Sequence, residues 1–351
     1  MKAPVHHILP LTSIVRERAM PIAGTVHARL NQNVNANDII AEASWAREHI
    51  LLDVARTLHI STSEADARIT CRNDDRLPAN SVIAVGRGLF PPRIRTPREG
   101  RVVVVGGGQV LLEVGMNKLE LRAGFPGTVI DILPGRGAVI RATGALVQGV
   151  WGNNRSDSGQ LINLADKPNS ILSAARLDAS MRGSIVMTGL VKDSETLQAA
   201  AAVPLRGLIL SCISQELIQT AREMRYPIVV TDGFGMLPMN AMAYKLLSTN
   251  AKREVSLNAQ PYDRYTGARP EIIIPLPFTG NLEQPPQSVE FSPGQQVRMR
   301  RAPSMGSIGT LVEVRPGLTV MPGGLRVPAG VVKIEGGESV IVPLVNLEVV
   351  G

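Results

Sequence analysis

Aromatic residues are scarce in this chain: Phe, Trp and Tyr together make up 3% of its 351 residues. Packed interiors must therefore come from aliphatic side chains, and base stacking has little to work with. The two cysteines, Cys71 and Cys212, are far apart and form no CxxC pair. That spacing excludes a disulfide framework and a cysteine zinc site, and it fits a reducing compartment. Histidine stops at His59, so everything beyond it lacks an imidazole base. His49 and His59 do not make the i, i+4 metal pair, and packing or surface positions are expected for both. No stretch approaches the roughly 18 apolar residues of a membrane span. The opening segment MKAPVHHILPLTSIVRERAM lacks the uninterrupted core of about 7–15 apolar residues that a signal peptide needs. A cytoplasmic location without membrane insertion is the expectation.

Glycine and proline are plentiful instead, at 33 and 25, beside 44% apolar residues. Many turns joining short Val/Ile/Leu strands produce that balance. The length points to two or three domains of about 100–200 residues. A net charge of +7 and a pI near 9.8 favour nucleic acid, an acidic partner or an anionic surface, or serve only to keep a glycine-rich surface in solution. The arginines gather loosely at Arg87, Arg93, Arg95, Arg98 and Arg101, and again at Arg298, Arg300 and Arg301.

The first 155 residues repeat themselves. Residues 34–41 and 77–84 share A-N-x-[IV]-I-A at a spacing of 43, an internal duplication signal. Around them stand Pro21-Ile22-Ala23-Gly24-Thr25-Val26, Pro97-Arg98-Glu99-Gly100-Arg101-Val102 and Pro126-Gly127-Thr128-Val129, in which Pro and Gly break one element and a β-branched run starts the next. This grammar resembles the barrel-sandwich hybrid family that includes biotinyl and lipoyl carrier domains, over roughly residues 19–150. The resemblance implies that fold, and carriers of the family need a modifiable lysine at an exposed hairpin tip. The nearest match, Gly115-Met116-Asn117-Lys118-Leu119, has its lysine one place out of the biotin pattern, so Lys118 is expected to be an ordinary solvated lysine and no cofactor is expected. Within 44–68, Ile50, Leu51, Val54, Ala55 and Leu58 share a helical face, predicting a helical insertion. Ser63 with Asp66 is a weak cap for a second short helix. Gly106-Gly107-Gly108 lies between β-type runs and reads as a hairpin turn, because a phosphate loop would open a helix.

Residues 156–260 change character. Apolar strands at 184–189, 207–212, 227–231 and 254–257 alternate with helices at 195–202, 215–224 and 240–247, predicting a three-layer α/β domain with a mainly parallel sheet. Ligands in such sheets bind beyond the carboxyl ends of the strands, which marks Thr188, Ser211, Cys212, Thr231 and Asp232 as ligand-binding candidates. Asp232 is the one acidic group and Cys212 the one thiol there, with a turn and an apolar packing role as their structural alternatives.

Prolines 261, 270, 275, 277, 285 and 286 punctuate 261–290, with Pro293 just beyond, predicting a stiff linker. Ile272, Ile273, Ile274, Leu276 and Phe278 form its apolar strip, read as an edge strand or a docking surface for another subunit. From 291 to 351, strands are expected at 296–300, 309–314, 324–327, 331–334 and 339–344. Pro293-Gly294-Gln295-Gln296-Val297, Gly306-Ser307-Ile308-Gly309-Thr310-Leu311-Val312 and Val342-Pro343-Leu344-Val345-Asn346-Leu347 resemble the SH3-like barrels of the KOW family. That resemblance implies RNA, ribosome or polymerase contact, with Arg298, Arg300 and Arg301 as phosphate contacts, although small barrels of this kind also serve simply to hold proteins together.

The expected molecule is thus a multi-domain, β-rich α+β protein: a barrel-sandwich hybrid with a helical insertion (1–155), an α/β domain (156–260), a linker (261–290) and an SH3-like barrel (291–351). Nothing in it forms a catalytic or metal-binding set. A structural or scaffolding subunit that forms a homo-oligomer or larger assembly is the leading reading. A nucleic-acid or ribonucleoprotein binder is the second, and a small-ligand sensor or enzyme using the sheet's carboxyl rim the third.

Overall fold

A computed structural model describes residues 2–88, 90–263, 265–280, 282–334 and 336–351. The protein is β-rich, with several sheets and short helices. β1 (Lys2–His6) runs parallel to the last strand of the chain, whereas β2 (Ile8–Ala19) runs antiparallel to a strand at 137–148.

The duplicated sequence folds twice in the same way. Asn31 N–H donates to Val129 O and Val129 N–H to Gln32 O; at the 43-residue offset, Asp74 N–H donates to Val102 O and Val102 N–H to Asp75 O. Asn31 and Asp74 both sit in the left-handed region, at φ 62° and 71°, which Asn and Asp tolerate best among residues with a Cβ. Gly127 pairs with Val34 of the first copy and Gly100 with Leu77 of the second. A Cβ at Gly127 would lie 2.5 Å from Arg141 O, and one at Gly100 would lie 2.4 Å from Glu113 O. The motif thus requires glycine so that a strand can press against its neighbour's backbone.

The second copy is nested inside the first. β3 (Ile39–Asp53) leaves the first copy and leads to α1 (Val54–Leu58) and α2 (Thr62–Asp66); β4 (Gly100–Gly106) then turns through Gly107 and Gly108 into β5 (Gln109–Arg122), which pairs with β3 along its length. The helix expected across 44–68 is therefore corrected: 44–53 is strand, and only two short helices follow. Ile50 and Leu52 face Leu112 and Val110 across the ladder, and this pairing outweighs the 3.6-residue periodicity that a short apolar run also allows. The second helix is capped by Ser61, whose hydroxyl accepts from Glu64 N–H, not by Ser63.

The buried side of the ribbon switches along its length. Val110, Leu112 and Val114 pack in the outer core with Val54, Ala65 and Val102. Beyond the switch, Leu119 and Leu121, of opposite parity, pack against Met20, Ala41 and Ala43. The neck between them exposes Trp45 and Met116. β6 (Gly127–Leu133) and β7 (Gly137–Gln148) complete the inner copy around Ile14, Val34, Ile40, Phe125, Val129 and Ile140.

β8 (Ser156–Asn163), β9 (Ser184–Met187), β10 (Gly207–Ile213) and β11 (Ile228–Phe234) are successive parallel neighbours. Alternation assigns their two faces. Val186, Leu208, Leu210, Ile228 and Val230 pack with Leu197 and Ala200 of α3 (Ser194–Ala202) and Ala221 of α4 (Ile218–Glu223). Ile185, Met187, Ile209 and Val229 pack with Ala243 and Leu247 of α5 (Ala241–Thr249). β12 (Glu254–Asn258) is antiparallel to β8, and β13 (Glu271–Pro275) lies between β12 and β7.

The sheet consequently runs on from the parallel strands into the N-terminal part, as one 13-stranded sheet among the described residues. This corrects the stretch 261–290, which supplies a central strand as well as connecting chain. Ile272, Ile273 and Ile274 are at most 2% exposed, so the expected docking strip is an internal strand. Leu276 is half-buried, and only Phe278 of that group is exposed.

β14 (Gln296–Met299), β15 (Ile308–Val314), β16 (Ala329–Ile334), β17 (Ser339–Pro343) and β18 (Leu347–Val350) form the C-terminal sheet, with β1 inserted between β18 and the strand Ser288–Glu290. Arg326–Val327 pairs instead with Thr319–Val320 in a separate hairpin. Ala3 and Val5 of β1 share the core of this sheet with Val297, Leu311, Val332 and Leu347. No helix among the described residues is long and apolar enough to cross a membrane.

Candidate functional site

The structure places Thr188, Ser211, Cys212, Thr231 and Asp232 at the carboxyl ends of β9, β10 and β11, all 8% exposed or less. Most of their polar atoms are already used. The Ser211 hydroxyl donates to Gly189 O at 2.6 Å, and Thr231 Oγ1 donates to Asp232 Oδ2 at 2.7 Å. The same carboxylate oxygen accepts from Asn240 N–H at 3.1 Å. Burial raises the Asp232 carboxyl above the ordinary carboxylate range, against the hydrogen bond from Thr231 and the Arg298 charge. Burial also pushes the Cys212 thiol up to about 11, which leaves it protonated and poorly nucleophilic at neutral pH. The Thr188 hydroxyl is buried with no partner among the described residues.

This rim is roofed by the C-terminal sheet. Arg298 on β14 donates through Nε to Glu348 on β18 at 2.7 Å and through Nη1 to Thr231 O at 3.1 Å. Arg298 Nη2 is also 2.7 Å from His6 Nδ1. Arg269 Nη1 reaches the other Glu348 oxygen at 3.1 Å. His6 is held well below its ordinary 6.5, first by burial and then by Arg298. A neutral ring with two guanidinium donors at Nδ1 carries its proton on Nε2. Burial alone would raise Glu348, but the guanidinium groups of Arg298 and Arg269 hold it down to about 2. The network joins β1, β11, β14, β18 and the loop before β13. Tyr262 lies against it, with its ring centre 4.8 Å from the Arg269 guanidinium and 5.7 Å from that of Arg300. A cavity of about 200 Å³ remains, lined by Asp232, Arg298, Glu348, Tyr262 and Met305 among others.

Arg298, at 4% exposure and fully engaged, is therefore corrected from a phosphate contact to an internal cation, while Arg300 and Arg301 are exposed. In the outer N-terminal unit, Arg101 bonds Glu113 and Asp74, Arg98 bonds Glu48, and Arg87 lies 3.4 Å from Glu64. Arg93 and Arg95 are exposed. Lys118 lies mid-strand opposite Ser44 and bonds Glu42 at 2.7 Å, a setting unlike a hairpin tip. Gly108 N–H donates to Asp66, so the triple-glycine turn is tied to α2. No cluster of His, Cys, Asp and Glu among the described residues has the arrangement of a metal site.

A large concavity was not anticipated. A cleft of about 830 Å³ opens on the sheet face opposite α5, between β2 and the residues Gln260, Tyr262, 266–269 and 284–287. Its floor is a polar rung: Ser156 on β8 pairs with Asn258 on β12, Asn258 with Glu271 on β13, and Glu271 with Gln148 on β7. Direct cross-strand partners share a face. Arg16 of β2 forks onto Glu271, with Nη2 to Oε2 at 2.6 Å and Nε to both oxygens at 3.0 Å. The sequence signal was present as Ser and Asn at alternate positions of apolar strands, but only the register shows that they line up. Comparison with protein-family models and with characterised proteins gave no match.

Proposed function

We propose that the chain is a non-enzymatic assembly protein that associates with copies of itself through its nested N-terminal unit. In this reading the two N-terminal copies are barrel-sandwich hybrids, one inserted in the other, and the C-terminal sheet is an SH3-like barrel fixed to an α/β core as an internal brace. The single observation that carries the reading is the ribbon neck. The outer unit closes its own core within residues 50–114, and the neck that holds it exposes Trp45 at 42% and Met116 at 64%. The register pairs Trp45 with Asn117 and Met116 with Ala46, so the two apolar side chains stand on opposite faces of the ribbon and give another copy a contact on each. The buried, free cysteines suit a cytoplasmic setting.

The test is mass photometry of the purified chain beside the Trp45→Ser/Met116→Ser double variant. The wild type should populate dimers or larger species, and the variant should be monomeric with an unchanged melting temperature. Equal populations in both would remove the neck from the account.

A second reading, nucleic-acid binding, draws on the surroundings of Phe90, where Gly86 N–H donates to Pro92 O. Phe90 is 93% exposed there, with Arg87, Arg93 and Arg95 close in sequence. An aromatic among cations fits single-stranded nucleic acid. Filter binding that weakens steeply with salt would support it; salt-independent or absent retention would count against it.

A further inference from the structure

The 830 Å³ cleft has the size of a small-molecule site, for which roughly 300–1,000 Å³ is usual, but its floor is polar. Polar side chains on a buried sheet face are a cost unless they are satisfied. Some are not. Ser256 on β12 is 2% exposed, lines the cleft, and has a hydroxyl without a hydrogen-bond partner among the described residues. Its cross-strand neighbours are Ile273 on β13 and Ser158 on β8, and its hydroxyl bonds neither. Two residues on, the Asn258 amide bonds no other described group. Gln148 accepts from His7 N–H through Oε1 at 2.9 Å, which leaves its amide N–H₂ for the cleft.

The unpartnered groups themselves carry no charge. Arg16 is neutralised by Glu271, and Arg269 shares Glu348 with Arg298. The other charged side chains lining the cleft are Arg18, held by Arg122 O at 3.4 Å, and the exposed Glu17. The Arg18 guanidinium is lowered by burial, with Glu271 acting against it. The free capacity on the floor is uncharged and both donating and accepting: a hydroxyl and two amides, beside a carboxylate fixed by its arginine fork with lone pairs to spare. Hydroxyl groups, which donate and accept without charge, match such a lining.

We propose that the cleft between β2 and the β12–β13 face binds a neutral polyhydroxylated molecule of sugar size, with Ser256, Asn258 and Gln148 as its floor contacts and Glu271, held by Arg16, as an acceptor. The site is separate from the ribbon neck, so it stands or falls independently of self-association.

The test uses the full-length chain in calorimetric titrations with glucose, maltose and myo-inositol, and with citrate as the anionic comparison. At least one neutral probe should bind saturably, with little change between low and high salt. Asn258→Leu should weaken that binding about tenfold, the worth of one well-made hydrogen bond to a ligand. Ser256→Ala should weaken it as well while melting no lower than the wild type, because the hydroxyl it removes has no partner in the protein. Saturable binding by none of the neutral probes would overturn the proposal. So would tighter, salt-sensitive binding of citrate, or affinities unchanged in both variants.

Discussion

Glu348 keeps its negative charge at 2% exposure because Arg298 and Arg269 both donate to it. Replacing it by Gln leaves two buried guanidinium groups with one neutral acceptor between them. Breaking a buried ionic network from one side costs about 3–5 kcal/mol, so Glu348→Gln should lower the urea midpoint near neutral pH by that equivalent. The pH dependence follows from the same group. Its folded pKa of about 2 lies below the ordinary 4.5, so its stabilisation is present above 4.5 and lost as pH falls toward 2. His6, lowered from 6.5, takes up a proton in the unfolded chain first, and its contribution is lost as pH falls below 6.5. Asp232, raised from 3.8, acts oppositely, favouring the fold in acid. Melting scans from neutral to acid pH should fall in two stages, and Glu348→Gln should flatten the lower one. The sequence named Asp232 and Cys212 but not their surroundings. Their roof comes from His6, Arg298 and Glu348, and Arg298 was read as a surface cation because charge is visible in a sequence while burial is not.

At the scale of elements, the parallel strands and helices of 184–249 were legible because continuous apolar strands alternate with short helices, whereas the strand expected to continue them at 254–257 forms but runs antiparallel to its neighbours. β8 and β13 were not. β8 reads Ser-Asp-Ser-Gly-Gln before its first large apolar residue, Leu161, and β13 lies in a proline-rich stretch that reads as a linker although Ile272 and Ile274 are fully buried. The ribbon was harder still, since β3 presents opposite faces to two cores and so shows no single period. What the sequence did carry was the repeat, through its glycines. Gly100→Ala places a methyl group against Glu113 O and Val114, overpacking that costs about 1–3 kcal/mol. Limited proteolysis should then cut within the outer unit first while the 13-stranded sheet stays protected. Simultaneous loss of both would show that the nested unit does not unfold separately.

At the scale of the molecule, β1 extends the C-terminal sheet beside β18, while β2, directly after it, belongs to the central sheet. Deleting residues 1–6 removes Ala3 and Val5 from the core of the C-terminal sheet and His6 from the rim. Chemical denaturation of that variant should show an early transition for the C-terminal sheet, whereas the intact chain should unfold that sheet and the central sheet together. A boundary at residue 155 looked natural because composition changes there, yet sheet pairing crosses it through β7 and β13. That long-range pairing has no local signature. A braced body of this kind, holding an outer unit on an apolar neck, is what self-association would use. Sedimentation velocity of the full-length chain across a wide concentration range, at low and high salt, tests this most directly. The account predicts a sedimentation coefficient that rises with concentration and changes little with salt; a single monomeric boundary at every concentration would contradict it.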